Sequence, residues 1–133
     1  MRKAARPPVP TPAELDILTV LWRLGPSTVR EVHEALAKDS VYTTTLKQMQ
    51  LMSEKGLLLR SERFRSHVYE AGFSREQLQQ QIAADVLDRV FDGSARDFVL
   101  GALASRAASD AELAEIRRVL DDFEKKTQKK RTR

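Results

Sequence analysis

Short polar side chains recur along the segment VYTTTLKQMQLMSEKG, which begins at residue 41. At 100° per residue, Thr43, Thr44, Lys47 and Gln48 lie on one side of a helix. Their hydroxyl, ammonium and amide groups donate or accept hydrogen bonds, and the lysine adds a positive charge. Two interpretations stay open: the threonine hydroxyls cap the first helical turn, or this side of the helix contacts a partner. Since one hydroxyl is enough for a cap, capping alone does not account for three consecutive threonines.

The apolar residues of the same segment predict a buried side of the helix. Tyr42, Thr45, Leu46, Met49 and Met52 fall within about a third of the circle. We therefore expect the third threonine to pack in a core while its two neighbours face outward.

Two capped helices precede this segment. Thr11 and Glu14 form a capping box that begins a helix over about residues 12–24. Thr28 and Glu31 form a second capping box, which begins a shorter helix. These helices must position the threonine helix.

A change of sequence period follows Gly56. The stretch LLLRSERFRSHVYEA predicts two short strands, at about 57–61 and 67–71, joined by a polar basic link. Three helices and a hairpin, in this order, are typical of a winged helix-turn-helix. The predicted fold is therefore mainly α: a winged helix-turn-helix domain (three helices plus a two-stranded β-hairpin wing) followed by a three-helix dimerisation domain.

The helices of that second domain are predicted over residues 74–124. Three helices in about 50 residues cannot easily close a core of their own, so their apolar faces are expected to pair with a second copy. Packing on the front domain of the same chain is the alternative. The predicted dimerisation residues are Leu78, Ile82, Leu87, Phe91, Val99, Leu103, Leu113, Ile116, Leu120 and Phe123.

Charge divides the chain into parts. Residues 1–73 carry 11 Lys or Arg against 8 Asp or Glu, and residues 74–124 carry 6 against 11. A basic front half favours a polyanionic partner, with an ordinary solvated surface as the alternative. The predicted domains are a flexible basic arm (1–10), a winged-helix DNA-binding domain (11–73), a helical dimerisation domain (74–124) and a basic disordered tail (125–133).

In a helix-turn-helix the recognition helix enters the major groove of DNA, which is about 12 Å wide. Threonines let its backbone approach closely, Gln48 suits adenine and Lys47 suits guanine. The hairpin arginines are expected to contact phosphate, or else to guard a solvated strand edge. Leu51 also projects outward, and it either touches a thymine methyl or sugar or packs under the wing. The predicted DNA-binding residues are Thr43, Thr44, Lys47, Gln48, Gln50, Lys55, Arg60, Arg63 and Arg65.

Other function classes lack their signatures. The chain has no cysteine, and His33 and His67 do not have the spacing of a metal site. Its five glycines form no phosphate-binding loop. The sequence therefore predicts no enzyme, no cofactor, no metal and no small-molecule substrate. It has no apolar run of about 18 residues and no secretory signal, which favours a cytoplasmic protein.

Four segments carry a resemblance to a known family: AELDILTVLW, STVREVHEAL, VYTTTLKQMQLMSEKGLL and the pair FDGSARDFVLGAL with AELAEIRRVL. They resemble the penicillinase-repressor family, also called BlaI/MecI/CopY, over about residues 12–124. The resemblance implies a homodimer that represses transcription on a two-fold symmetric operator, with Thr43 and Thr44 among its DNA-contacting residues. A winged helix that binds a protein partner, with only nonspecific DNA affinity, is the alternative from another class.

The sequence departs from that family at three places. Family members often carry arginine where this chain has Leu51. The absence of cysteine excludes the cysteine cluster of the copper-responsive members. In the β-lactam-responsive members a membrane-bound metalloprotease cuts an Asn-Phe bond, and the match places Gly101 and Ala102 there. Another protease specificity, another bond or another signal stay open as means of regulation.

Overall fold

The elements of the computed structural model follow the predicted order. The structure describes residues 6–36, 40–63 and 65–131. The elements are α1 (Pro12–Leu24), α2 (Val29–Leu36), α3 (Tyr42–Lys55), β1 (Leu58–Arg63), β2 (Ser66–Ala71), α4 (Arg75–Arg89), α5 (Ala95–Ser105) and α6 (Asp110–Arg131). Three helices, an antiparallel hairpin and further helices confirm the predicted mainly α, winged helix-turn-helix fold class.

Local hydrogen bonds begin the first two helices where the sequence predicts. The backbone amide of Thr11 donates to Oε1 of Glu14 at 2.9 Å, and the Glu14 amide donates to Oγ1 of Thr11 at 3.2 Å. The same exchange joins Thr28 and Glu31, at 3.0 and 3.2 Å. Both capping boxes are therefore confirmed.

Two compact units divide the chain, Met1–Arg89 and Val90–Arg133. The first unit has a core to which α1, α2, α3, the hairpin and α4 contribute. The indole nitrogen of Trp22 donates to the carbonyl oxygen of Phe73 at 3.0 Å and so fixes the chain that leaves the hairpin. The core residues are Ile17, Leu18, Val20, Leu21, Val29, Val32, Met49, Met52, Leu57, Leu58, Tyr69, Phe73 and Leu78.

The hairpin is fixed to the helices at both of its ends. Ser27 exchanges two backbone hydrogen bonds with Tyr69, at 2.9 and 2.8 Å, so the turn before α2 extends the sheet by one bridge. Gly72 lies so close to the other end that an added Cβ would stand 2.8 Å from the carbonyl oxygen of Gly56. The wing therefore has a defined position relative to the end of α3.

Both chain ends differ from the sequence prediction. Residues 1–5 of the predicted arm lie outside the described residues, and Pro7 and Pro10 are buried. The helix α6 continues to Arg131, so the prediction of disorder is wrong for residues 125–131. Their lysine and glutamine side chains have high helix propensity, and basic residues in a last turn interact favourably with the helix dipole. Within the described ranges no helix is long and apolar enough to cross a membrane.

Candidate nucleic-acid interface

Five side chains of α3 line one shallow concave surface, here called the outer face of α3: Thr43, Thr44, Lys47, Gln48 and Leu51. Val41 is the N-cap residue, and its side chain makes no capping hydrogen bond to this helix. The capping interpretation of the threonines is therefore wrong. Thr43 and Thr44 are exposed, so their hydroxyl groups are available to a partner.

The third threonine has the packing role that the sequence predicts. Thr45 is 2% exposed, and its hydroxyl shares a 2.9 Å hydrogen bond with Nδ1 of His33 on α2. Met49 and Met52 continue the buried side and are fully enclosed. Tyr42 is 36% exposed, so the prediction that it joins this side is wrong. The buried side of α3 fixes the direction of the outer face.

Lys55 differs from the other predicted DNA-binding lysine because it has a partner within the protein. Its Nζ lies 2.7 Å from Oε2 of Glu14, whose side chain is only 7% exposed, while Lys55 is 49% exposed. Burial raises the pKa of Glu14, but hydrogen bonds from Lys55 and from the Thr11 amide outweigh it, so the pKa lies below its ordinary value. This ion pair ties the end of α3 to the start of α1.

The remaining predicted DNA-binding residues are exposed but lie apart from the outer face. Gln50 is exposed on α3 and does not line the concave surface. Arg60 and Arg63 project from β1, and Arg65 lies at the hairpin turn with a positive φ of 64°. Three guanidinium groups on one exposed hairpin suit contact with a phosphate backbone.

A second cavity of about 360 Å³, which the sequence did not predict, lies beside the first turn of α3. Arg30 and His67 supply polar groups to its lining, together with the ring of Tyr42. The guanidinium carbon of Arg30 lies 5.1 Å from the ring centroid of Tyr42. The sequence signal for this cavity was Arg30, a basic residue two positions after the cap residue of α2.

The second unit exposes many apolar side chains. Four predicted dimerisation residues are among them: Val99, Leu103, Leu120 and Phe123 are 38–62% exposed. Ile82 and Leu87 in the first unit, and Phe91, Leu113 and Ile116 in the second, are half-buried. The exposed residues that the prediction missed are Val90, Leu100 and Val119.

The prediction that Leu78 is a dimerisation residue is wrong. Leu78 is 1% exposed in the core of the first unit, so it is not available to a second copy.

The predicted cleavage position is helical. Gly101 and Ala102 lie inside α5, where an added Cβ on Gly101 would stand 3.1 Å from the Phe91 ring.

The model of the family described as penicillinase repressor matches residues 10–122, which is most of the chain. The chain belongs to the penicillinase repressor family. This membership confirms the resemblance found in the sequence.

Named relatives of the penicillinase repressor family match over similar lengths. The transcriptional regulator BlaI of Mycobacterium tuberculosis is 33% identical over 114 residues, which are 84% of this chain and 82% of the relative. The penicillinase repressor of Bacillus licheniformis is 26% identical over 112 residues, or 83% of this chain and 88% of the relative. The family is one of transcription regulators, and the chain is not an enzyme.

Proposed function

We propose that the chain is a homodimeric, sequence-specific DNA-binding repressor that binds a two-fold symmetric operator through the major groove and blocks transcription there. Family membership and the names of its relatives support a DNA-binding repressor. The exposed outer face of α3 supports contact with the major groove, and the exposed apolar side chains of the second unit support a dimer.

The outer face of α3 gives the main support for the proposed function. Its threonine hydroxyls make no capping hydrogen bond, and they line one open surface with exposed Lys47 and half-buried Gln48. Short side chains allow a close approach to base edges in a groove about 12 Å wide, and the ammonium and amide suit guanine and adenine. The backbone amides of the first turn favour phosphate, because they form the positive end of the helix dipole.

Basic groups of the wing and of α2 would contact the sugar–phosphate backbone. Arg60, Arg63 and Arg65 are exposed on the wing, and Arg30 lies on α2 beside Tyr42. Phosphate contacts fix the position of a protein on the duplex without selecting a sequence. We therefore assign these arginines to affinity and register, and the outer face of α3 to selectivity.

A second copy of the chain is the proposed cover for the apolar side chains of the second unit. Leu120 and Phe123 are 54% and 62% exposed on α6, and large apolar surfaces of this kind mark interfaces. Two copies would hold two α3 helices at a fixed separation, about one helical turn of DNA or a multiple of it. Because each copy contacts one half-site, dimerisation raises affinity through effective concentration.

Release of DNA is proposed to act on the dimer, by proteolysis or by another signal. A signal that separates the copies lowers operator affinity without altering α3, since each α3 alone contacts only one half-site. If a membrane-bound sensor metalloprotease cuts at Gly101 and Ala102, α5 must first open locally, because that bond lies within the helix.

The test uses duplexes selected in vitro from random sequences with the full chain. Changing Thr44→Ala together with Lys47→Ala should lower affinity for the selected duplex at least about thirtyfold, since a good bidentate base contact discriminates by about 1–3 kcal/mol and the dimer loses one such lysine contact in each half-site. Thr19→Ala with Arg23→Ala, an exposed threonine and arginine on α1, is the matched control. Sedimentation should show an unchanged dimer for both variants.

Two outcomes would refute the proposal. Retained selective binding by the Thr44→Ala, Lys47→Ala variant would remove those side chains from the interface. Equal affinity of the unmodified chain for selected and random duplexes would favour a protein-interaction module with nonspecific DNA affinity. A steep fall of affinity with salt would show only that phosphates are neutralised.

A further inference from the structure

Leu51 is an apolar side chain in the middle of a polar surface. It is 44% exposed, whereas Met49 and Met52 on either side of it in the sequence are fully buried. A single exposed leucine is common on protein surfaces and carries no inference by itself. The position of Leu51 is the informative observation, because this residue lines the outer face of α3 together with Thr44 and Lys47.

Helix geometry places Leu51 at the centre of that face. At 100° per residue it projects within about 20° of Thr44 and about 40° of Lys47. It stands about 10.5 Å further along the helix axis than Thr44, at 1.5 Å per residue. That separation is large enough to reach a different base pair, since neighbouring base pairs are stacked about 3.4 Å apart. A helix that places Thr44 at a base edge therefore brings Leu51 to another base edge of the same groove.

We infer that Leu51 contacts the 5-methyl group of a thymine and makes that thymine a determinant of the operator sequence. The inference rests on the proposed function, because it requires α3 to lie in the major groove. A leucine side chain has no hydrogen-bonding group, so it cannot pair with the donors and acceptors of a base edge. Among the four base pairs only the thymine side presents an apolar group there.

Leu51 thus complements the polar residues beside it. Thr44 and Lys47 select by hydrogen bonds, while Leu51 selects by excluding water from one methyl group. Burying one methyl or methylene group contributes about 0.8 kcal/mol, which corresponds to roughly a fourfold change in affinity. A symmetric duplex with two such contacts would show roughly a fourteenfold change.

Replacement of thymine by deoxyuridine is the direct test, because it removes the methyl group and keeps every hydrogen-bonding group. Each symmetric pair of thymines in the selected duplex is replaced in turn, and the affinity of the full chain is measured. One pair should lower affinity by roughly fourteenfold for the unmodified chain and by less than about twofold for Leu51→Ala. Leu51→Met retains an apolar side chain and should keep most of the sensitivity.

Leu24→Ala is the matched control, since Leu24 is an exposed leucine of the same unit on α1, at 48% exposure. It should keep the full deoxyuridine effect. Tight selective binding with no sensitive thymine pair, or with the same sensitivity in Leu51→Ala, would overturn the role of Leu51 and leave the proposed function standing. Failure to select any duplex would overturn both the role of Leu51 and the proposed function. The same result is expected if Leu51 contacts a protein partner instead of DNA.

Discussion

Replacing Lys55 by methionine should destabilise the first unit while leaving DNA affinity nearly unchanged. Lys55 is a basic residue on the proposed recognition helix, but its Nζ lies 2.7 Å from Oε2 of Glu14. Hydrogen bonds to charged groups contribute about 1.5–3 kcal/mol. Because the Lys55 side chain is 49% exposed, solvent screening favours the lower end of that range. We expect a loss of about 1.5 kcal/mol in the free energy of unfolding.

The pH dependence of that loss has a definite sign. Burial raises the pKa of Glu14, yet the Lys55 and Thr11 hydrogen bonds lower it overall, below the ordinary value of 4.5. A carboxyl group with a lowered pKa stabilises the fold above pH 4.5, and this contribution is lost as the pH falls through the folded pKa. Without Lys55, less opposes the rise that burial causes in the pKa of Glu14. The stability difference between the two proteins should therefore shrink in acid.

Urea unfolding of the unmodified chain and of Lys55→Met, at about pH 7 and about pH 4, measures both effects. Lys47→Met is the matched control, since Lys47 is an exposed lysine of the outer face of α3. It should lower operator affinity and leave stability unchanged, which is the reverse of the Lys55→Met result. Equal stability of Lys55→Met and the unmodified chain at neutral pH would refute the reasoning. So would a loss of DNA affinity as large as that of Lys47→Met.

Three further predictions concern the interface, the wing and the fold. Phe123→Glu on the exposed side of α6 should convert dimer to monomer in sedimentation and lower operator affinity at least about a hundredfold, while Arg118→Glu should not dissociate the dimer. Arg63→Gln should weaken binding to operator and random duplex alike and reduce the log–log salt slope by about 2, because each copy of the symmetric dimer loses one phosphate contact. Gly72→Ala should lower the free energy of unfolding by about 1–3 kcal/mol, because the new Cβ meets backbone oxygens at 2.8 and 3.0 Å.

The features that the sequence predicted well depend on short stretches of chain. Both capping boxes join residues three positions apart, so Thr11 with Glu14 and Thr28 with Glu31 could be recognised directly. The burial of Thr45 followed from helical periodicity. These patterns were enough to place three helices before the hairpin and to direct the outer face of α3 away from the core.

The features that the sequence did not predict depend on distant contacts. Glu14 and Lys55 are 41 positions apart, so no local pattern identified Lys55 as the partner of a buried carboxylate. Periodicity marked Leu78 as apolar but could not tell a core residue from an interface residue. The charge of residues 125–131 indicated disorder, while the helix propensity of the same residues favoured the helix that is present.

Methylation interference on the selected duplex tests the central claim, that two outer faces of α3 contact the major groove of one operator. Dimethyl sulfate modifies guanine N7 in the major groove and adenine N3 in the minor groove. We expect two clusters of interfering guanines, related by two-fold symmetry and about one helical turn or a multiple of it apart. Interference at adenine N3 alone, or a single cluster without a symmetric mate, would contradict it.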